Sequence, residues 1–208
     1  MKFLKRHAYA LVFTLFLMGA NVYSLLKVFV IPSAVSTVSA NTTSSTTASS
    51  TASTSTGKVT KTDTTYKDDN MDIKITTGKT SDTTYYVADI KLSSADYLKT
   101  ALAQNTYGTN ITDTTSSIAQ QNNAIFAING DYYGANQSGY VIKNGQVYRD
   151  TDRNSDYEDL AVYSDGSFKT FKESDTTAQK LVDSGVVNTF AFGPTLVENG
   201  KIAVSENE

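Results

Sequence analysis

The 208-residue chain has no cysteine and a single histidine, His7. Without thiols it forms no disulfide and offers no thiolate to a metal. With one histidine it builds neither a zinc site nor a histidine-based nucleophile triad. It also lacks an excess of positive charge: 18 Lys and Arg against 21 Asp and Glu give a formal net charge of −3. A nucleic-acid partner requires a basic field along the contact surface, so no nucleic acid is expected as a partner.

What the chain does have, at its start, is a long uncharged run. Lys2, Lys5 and Arg6 precede an apolar stretch from Ala8 to Leu26, close to the ~20 residues a helix needs to cross a bilayer. A cleavable signal peptide has a shorter apolar centre of about 7–15 residues, and the apolar pattern resumes after Lys27. The reading is an uncleaved signal anchor over residues 1–32; the rival is cleavage after Ala40, where Val38-Ser39-Ala40 fits a small-x-small site. The positive flank keeps the N-terminus cytoplasmic and sends the remainder outside. An exported domain without disulfides is held by its core alone, which suits a bacterial surface protein. Residues 33–57 are almost entirely Ser, Thr, Ala and Val. They have too little to bury to offset the entropy of ordering and read as a disordered spacer. The folded region is expected over residues 58–208.

Within it, Thr83 to Ser93 alternates as a strand, with Tyr86, Ala88, Ile90 and Leu92 on one face. A helix capped by Ser93 or Ser94 is expected next, with Tyr97, Leu98, Ala101 and Leu102 as its stripe. A weaker helix covers Asp113 to Gln121. Ala124-Ile125-Phe126-Ala127-Ile128 is short and fully apolar, and reads as a buried central strand. Asn144-Gly145, Asp165-Gly166 and Asn199-Gly200 each join two β-rich runs as tight hairpins. A helix over Thr176 to Ser184 is stopped by Gly185. This order predicts an α+β domain with a mixed or antiparallel sheet and flanking helices. Periodicity leaves open whether the domain is complete or a fragment.

The apolar run ends directly in Asn129-Gly130-Asp131-Tyr132-Tyr133-Gly134. Catalytic groups are often held where a rigid element meets a loop. Here an amide (Asn129), a carboxylate (Asp131) and two rings on which a sugar can stack (Tyr132, Tyr133) fall together. The alternative is a turn whose Asn-Gly and Asp serve backbone geometry. A second acidic stretch, Asp150 to Asp159, has oxygen ligands at alternate positions. It departs from a calcium loop at Ser155 and Ala161, and reads as a solvated acidic loop; no metal site is expected.

Three blocks together resemble the phosphodiester glycosidase family: Ala127 to Gly134, Gly139 to Arg149, and Phe190 to Gly200. The family includes the uncovering enzyme that removes N-acetylglucosamine from a phosphodiester, and bacterial members labelled exopolysaccharide biosynthesis proteins. The resemblance runs from about Tyr85 to Gly200. It implies a hydrolase acting on a carbohydrate phosphodiester or cell-wall polymer, with no cofactor. The family pattern continues with an Asn/His-Pro-Arg-Thr segment and an Asn-Leu-Asp-Gly-Gly-Gly-Ser segment, and neither occurs here, so a C-terminally truncated member is expected.

Breaking a sugar C1–O–phosphate bond passes through an oxocarbenium-like state and calls for a carboxylate at C1 or at the attacking water. The phosphate calls for a cation, best an arginine. Asp131 and Asn129 are the candidate catalytic residues; Tyr132, Tyr133 and Arg149 are the candidate substrate-binding residues. Two readings stand: a surface-anchored glycosidase, which needs the two missing segments in cis or from an adjacent reading frame, or a non-catalytic truncated remnant or carbohydrate-binding surface protein.

Overall fold

The computed structural model describes residues 2–34, 58–153 and 156–204. The spacer expected over residues 33–57 lies almost wholly outside them; only Ser33 and Ala34 are described, as a short strand.

Helix α1, Lys2–Phe29, is followed by β1, Ser33–Ala34. Within α1, His7–Phe29 has a mean hydropathy of 1.7 and none of it is buried against protein. At 1.5 Å per residue this stretch is about 34 Å long, enough to cross a hydrocarbon core of about 30 Å. The helix is thus long and apolar enough to span a membrane.

The first sheet is antiparallel, in the order β2 (Thr60–Lys61), β3 (Thr65–Lys67), β4 (Met71–Lys79), β5 (Thr84–Leu92). β4 and β5 pair over nine consecutive residues without a bulge, with Ile73 opposite Ile90. The expected strand over 83–93 forms as β5. The expected helix after it does not. Ser94 does cap, accepting from the Asp96 N–H, but only the 3₁₀ turn Ala95–Tyr97 follows, and a second 3₁₀ turn spans Ala103–Asn105. Tertiary bonds override the weak helical pattern: the Thr100 N–H is taken by the Asn144 side chain at 3.2 Å, and the Thr100 carbonyl accepts from it at 2.8 Å.

Next come β6, Gly108–Thr109, paired with β1, and helix α2, Thr115–Gln121. The Thr114 hydroxyl caps α2 by accepting from the Ser117 N–H. The buried strand expected at Ala124–Ile128 is not there. That segment is irregular and exposed, with Ile128 77% accessible. Asn123, with φ +52°, turns the chain out of α2. Among the described residues no strand pairs with 124–128, and an apolar run cannot become a strand without a neighbour for its N–H and C=O groups.

The three expected hairpins form. β7 (Val141–Lys143) pairs with β8 (Gln146–Arg149), and β9 (Glu158–Tyr163) pairs with β10 (Phe168–Lys172). After helix α3 (Ala178–Asp183) and β11 (Val186–Phe190), β12 (Val197–Glu198) pairs with β13 (Lys201–Ile202). At Asn144-Gly145 and Asn199-Gly200 both residues have positive φ, the backbone twist that fits a two-residue hairpin. Thr177 caps α3 and Gly185, at φ +98°, follows its end. β9 is the centre of a three-stranded antiparallel sheet, with β10 and β11 on its flanks. Ile142, Ala161, Ala178, Leu181 and Val186 form the core where β7, β9, β11 and α3 meet.

Side chains rather than a backbone ladder fasten β7 to β11. The Thr189 hydroxyl accepts from the Ile142 N–H at 3.0 Å and donates to the Tyr140 carbonyl at 3.2 Å. Asn188 Oδ1 accepts from the Asn144 N–H at 2.9 Å. The architecture is α+β with antiparallel sheets, as the sequence predicts.

Ile142 is fully buried at this junction. Ile142→Ala removes packing from four elements at once and is expected to cost about 2–5 kcal/mol, read as a lowered denaturation midpoint.

Candidate functional site

The turn after Ala124–Ile128 is held by contacts with β7 and β11. Gly130 lies close under Phe190: a Cβ there would come within 3.3 Å of the ring. Asp131 is then drawn inward. Its Oδ1 accepts from Lys143 Nζ at 3.0 Å and its Oδ2 from the Ala191 N–H at 3.1 Å. Both side chains of the Asp131–Lys143 pair are 5% accessible. The Lys143 ammonium also donates to the Thr189 carbonyl at 2.7 Å and stands 4.0 Å over the Phe190 ring. Burial pulls the Lys143 pKa below its ordinary value, and Asp131 opposes that shift. Each carboxylate oxygen of Asp131 accepts one bond and retains a second lone pair.

Asn129 and Tyr132 are exposed, Tyr132 at 64%. Tyr133 is half-buried and stacks on Tyr107, ring centroids 5.2 Å apart; Tyr107 in turn meets Tyr148 at 5.1 Å. Burial raises the pKa of Tyr107 and Tyr133 above the ordinary phenol value, keeping both neutral. Beside this tyrosine group opens a cleft of about 240 Å³, bounded by β6, the 134–137 loop and residues 148–151.

Arg149 does not stand free in that cleft. Its Nε donates to the Gly139 carbonyl at 2.6 Å, and its Nη1 to the carbonyls of Tyr133 at 3.1 Å and Asn136 at 2.5 Å. The guanidinium therefore fixes the loop that follows Asp131.

The acidic stretch also departs from a solvated loop. Asp159 is 1% accessible and pairs with Arg153, whose Nε lies 3.6 Å from Glu173. Glu173 is buried too; it accepts from the Tyr140 N–H at 2.5 Å and the Arg153 N–H at 2.7 Å. Burial, with Glu173 beside it, raises the Asp159 carboxyl to about 7 against the pull of Arg153. Among the described residues no group of acidic or histidine side chains is placed to hold a metal ion.

The structure thus gathers Asp131, Tyr133 and Arg149 around one loop, and leaves Asn129 and Tyr132 on its exposed side. Lys143, the counter-ion of Asp131, is not legible from the sequence: it follows Val141 and Ile142 at the start of a hairpin and looks like any strand-end lysine.

Residues 122–208 match the model of the phosphodiester glycosidase family. This shows the resemblance over the stretch that contains Asp131, Lys143 and Arg149. The chain is also similar to the SPbeta prophage-derived uncharacterized protein YomE of Bacillus subtilis (strain 168): 31% identical over 99 residues, 46% of this chain and 15% of that relative. The chain thus spans a small part of that relative's length. No solved structure matches it.

Two outcomes test this geometry. Lys143→Met strands a buried carboxylate and is expected to cost about 3–5 kcal/mol of stability, while Asp131→Asn with Lys143→Met restores part of it. A chemical denaturation series on the three proteins measures the difference; equal stability of the single and double variants contradicts the buried pair. The second concerns pH. Asp159 binds its proton more tightly folded than unfolded, its folded pKa being raised from 3.8 to about 7. Its contribution to stability is full below the unfolded value and is lost as pH rises through the folded one. Melting temperature should fall less across that window in Asp159→Asn than in the parent.

Proposed function

We propose that this chain is a membrane-anchored hydrolase of sugar-1-phosphodiester linkages in a cell-wall polymer or exopolysaccharide, with Asp131 as its carboxylate. The observation that carries the reading is the fixed position of Asp131 within the segment matching the phosphodiester glycosidase family. Cleavage breaks the C1–O bond: water adds to C1, the electron pair of the broken bond leaves with the phosphate monoester, and one water proton is released. A phosphate monoester is a good leaving group, so the demand falls on stabilising positive charge at C1 or on activating water. A carboxylate held in one position by a buried ammonium suits either role. Tyr132 and Tyr133 offer faces for a sugar ring, Asn129 an amide for its hydroxyls, and Arg149 orders the intervening loop.

In this reading residues 1–32 are the anchor and basic flank, 33–57 the spacer and 58–208 the catalytic domain. Lys2, Lys5 and Arg6 hold the N-terminus in the cytoplasm, so the domain faces outward. One observation favours a second reading, a carbohydrate-binding surface protein: the Tyr107–Tyr133–Tyr148 group flanks an open cleft while Arg149 is committed to backbone carbonyls.

The purified full chain, incubated with a synthetic N-acetylglucosamine-1-phosphate methyl diester, should release free sugar. Asp131→Asn should reduce turnover at least ~10²-fold; circular dichroism must confirm folding, because this change also removes the partner of Lys143. Arg149→Ala should act mainly on KM. Sugar binding without release, and with the tyrosines required, would establish the second reading. Protease added to wall-stripped cells should digest residues 58–208; protection of the domain contradicts the outward orientation.

A further inference from the structure

β5 is the outer strand of the first sheet, and among the described residues no strand lies along its other edge. It has no proline, no bulge and nine residues in regular pairing with β4. Such an edge is a template for another strand. The direction of its backbone groups is settled. Ser93 N donates to the Asn70 carbonyl at 2.9 Å, and the Val87 carbonyl accepts from Thr76 Oγ1 at 3.5 Å. Odd-numbered residues of β5 therefore turn their N–H and C=O toward β4. Tyr86, Ala88, Ile90 and Leu92 turn theirs outward.

The side chains then discriminate between registers. On one face Lys67 lies opposite Asp72, Asp72 opposite Lys91, and Lys74 opposite Asp89; Lys67 and Asp72 form an ion pair at 2.6 Å. On the other face lie Ile73 and Ile90, Ile75 and Ala88, Met71 and Leu92. Consider a second β5 running antiparallel along the free edge. A two-fold axis at Asp89 or at Lys91 sets like charges against each other. An axis at Ala88 sets Asp89 against Val87. An axis at Ile90 sets Asp89 against Lys91 twice, in the non-hydrogen-bonded pairs where side chains come closest. That register also makes Ile90 a hydrogen-bonded pair with itself, as its outward N–H and C=O require. The charged row then alternates in sign across the axis: Lys67, Asp72, Lys91, then Asp89 and Lys74 of the second copy. The apolar row continues as Ile73, Ile90, Ile90, Ile73.

We propose that the free edge of β5 pairs antiparallel with β5 of a second copy of this chain, with Ile90 on the two-fold axis and Asp89 of each copy against Lys91 of the other. The match is isologous, as a closed dimer needs. Charge complementarity selects the occupant: a β5 strand supplies the opposite charges at the required spacing.

The absence of cysteine allows a direct test on the full chain in detergent micelles. Ile90→Cys places two thiols on the axis, with Cα atoms about 5.5 Å apart, within disulfide reach. Val87→Cys, opposite Ser93, puts its two copies about 20 Å apart at ~3.4 Å per residue. Under mild oxidation Ile90→Cys should give a covalent dimer and Val87→Cys should not. Cross-linking of both to the same extent, or of neither, overturns the proposal. Asp89→Lys and Lys91→Asp should each weaken self-association at least about tenfold, measured by sedimentation. An equimolar mixture of the two should restore a dimer, because Lys at 89 then meets Asp at 91 and the native Lys91 meets the native Asp89. A mixture that stays monomeric overturns the register, and a monomeric parent chain at tens of micromolar overturns the interface, leaving the edge open or to another strand.

Discussion

The Lys143 ammonium is the point on which the site is built. It sits at the end of β7, bonds the carboxylate of the 129–131 turn and the Thr189 carbonyl of β11, and covers the Phe190 ring. A buried ion pair of this kind adds little net stability, because desolvation of both charges offsets their attraction. What it imposes is specificity of position. Only one placement of the turn gives Lys143 its counter-ion and also gives the Ala191 N–H its acceptor.

A second constraint runs through Gly139. Its φ of +102° is one that side-chain-bearing residues rarely adopt, and a Cβ there would press on the Arg153 side chain at 3.3 Å. Its carbonyl accepts from Arg149 and its N–H donates to the Thr151 carbonyl. Arg153 is gripped in turn by Asp159 and Glu173, and Glu173 accepts from the backbone of Tyr140. The loop carrying Tyr133 and the segment carrying Arg149 are thereby fastened to β9 and to the end of β10 through buried charge.

Elements that depend on local chemistry are legible in the sequence. The hairpins at Asn144-Gly145 and Asn199-Gly200 follow from the positive φ those residues tolerate, and the end of α3 from Gly185. Elements that depend on partners are not. Ala124–Ile128 has the composition of a buried strand but no strand beside it among the described residues, and a period-based reading supplies no neighbour. The helix expected after Ser94 loses to the side chain of Asn144, 44 residues away in Thr100's bond to it. The site divides in the same way. Asp131 stands out because a carboxylate after an apolar run is unusual. Lys143 and Asp159 are ordinary in sequence; Lys143 meets Asp131 from 12 residues away, and Asp159 is held through Arg153, which is bonded to Glu173 20 residues away.

β6 links the cleft to helix α1. Its Gly108 and Thr109 pair with Ala34 and Ser33, which follow α1, and the same two residues line the cleft. Asn110 donates to the carbonyls of Val28 and Ile31 at 3.0 and 3.3 Å, taking up acceptors that the end of α1 leaves open. Gly108 permits this approach, since a Cβ there would collide with the Ser33 carbonyl. The tyrosine-flanked cleft and the last turn of α1 therefore share one short strand. A substitution at Gly108 acts on both at once: it forces β1 away from β6 and moves one wall of the cleft, while Asp131 keeps its bonds to Lys143 and Ala191 on the far side of the 133–139 loop. Under the proposed carbohydrate-binding reading, loss of sugar binding in Gly108→Val with the Asp131–Lys143 pair intact separates the cleft's contribution from that of the carboxylate.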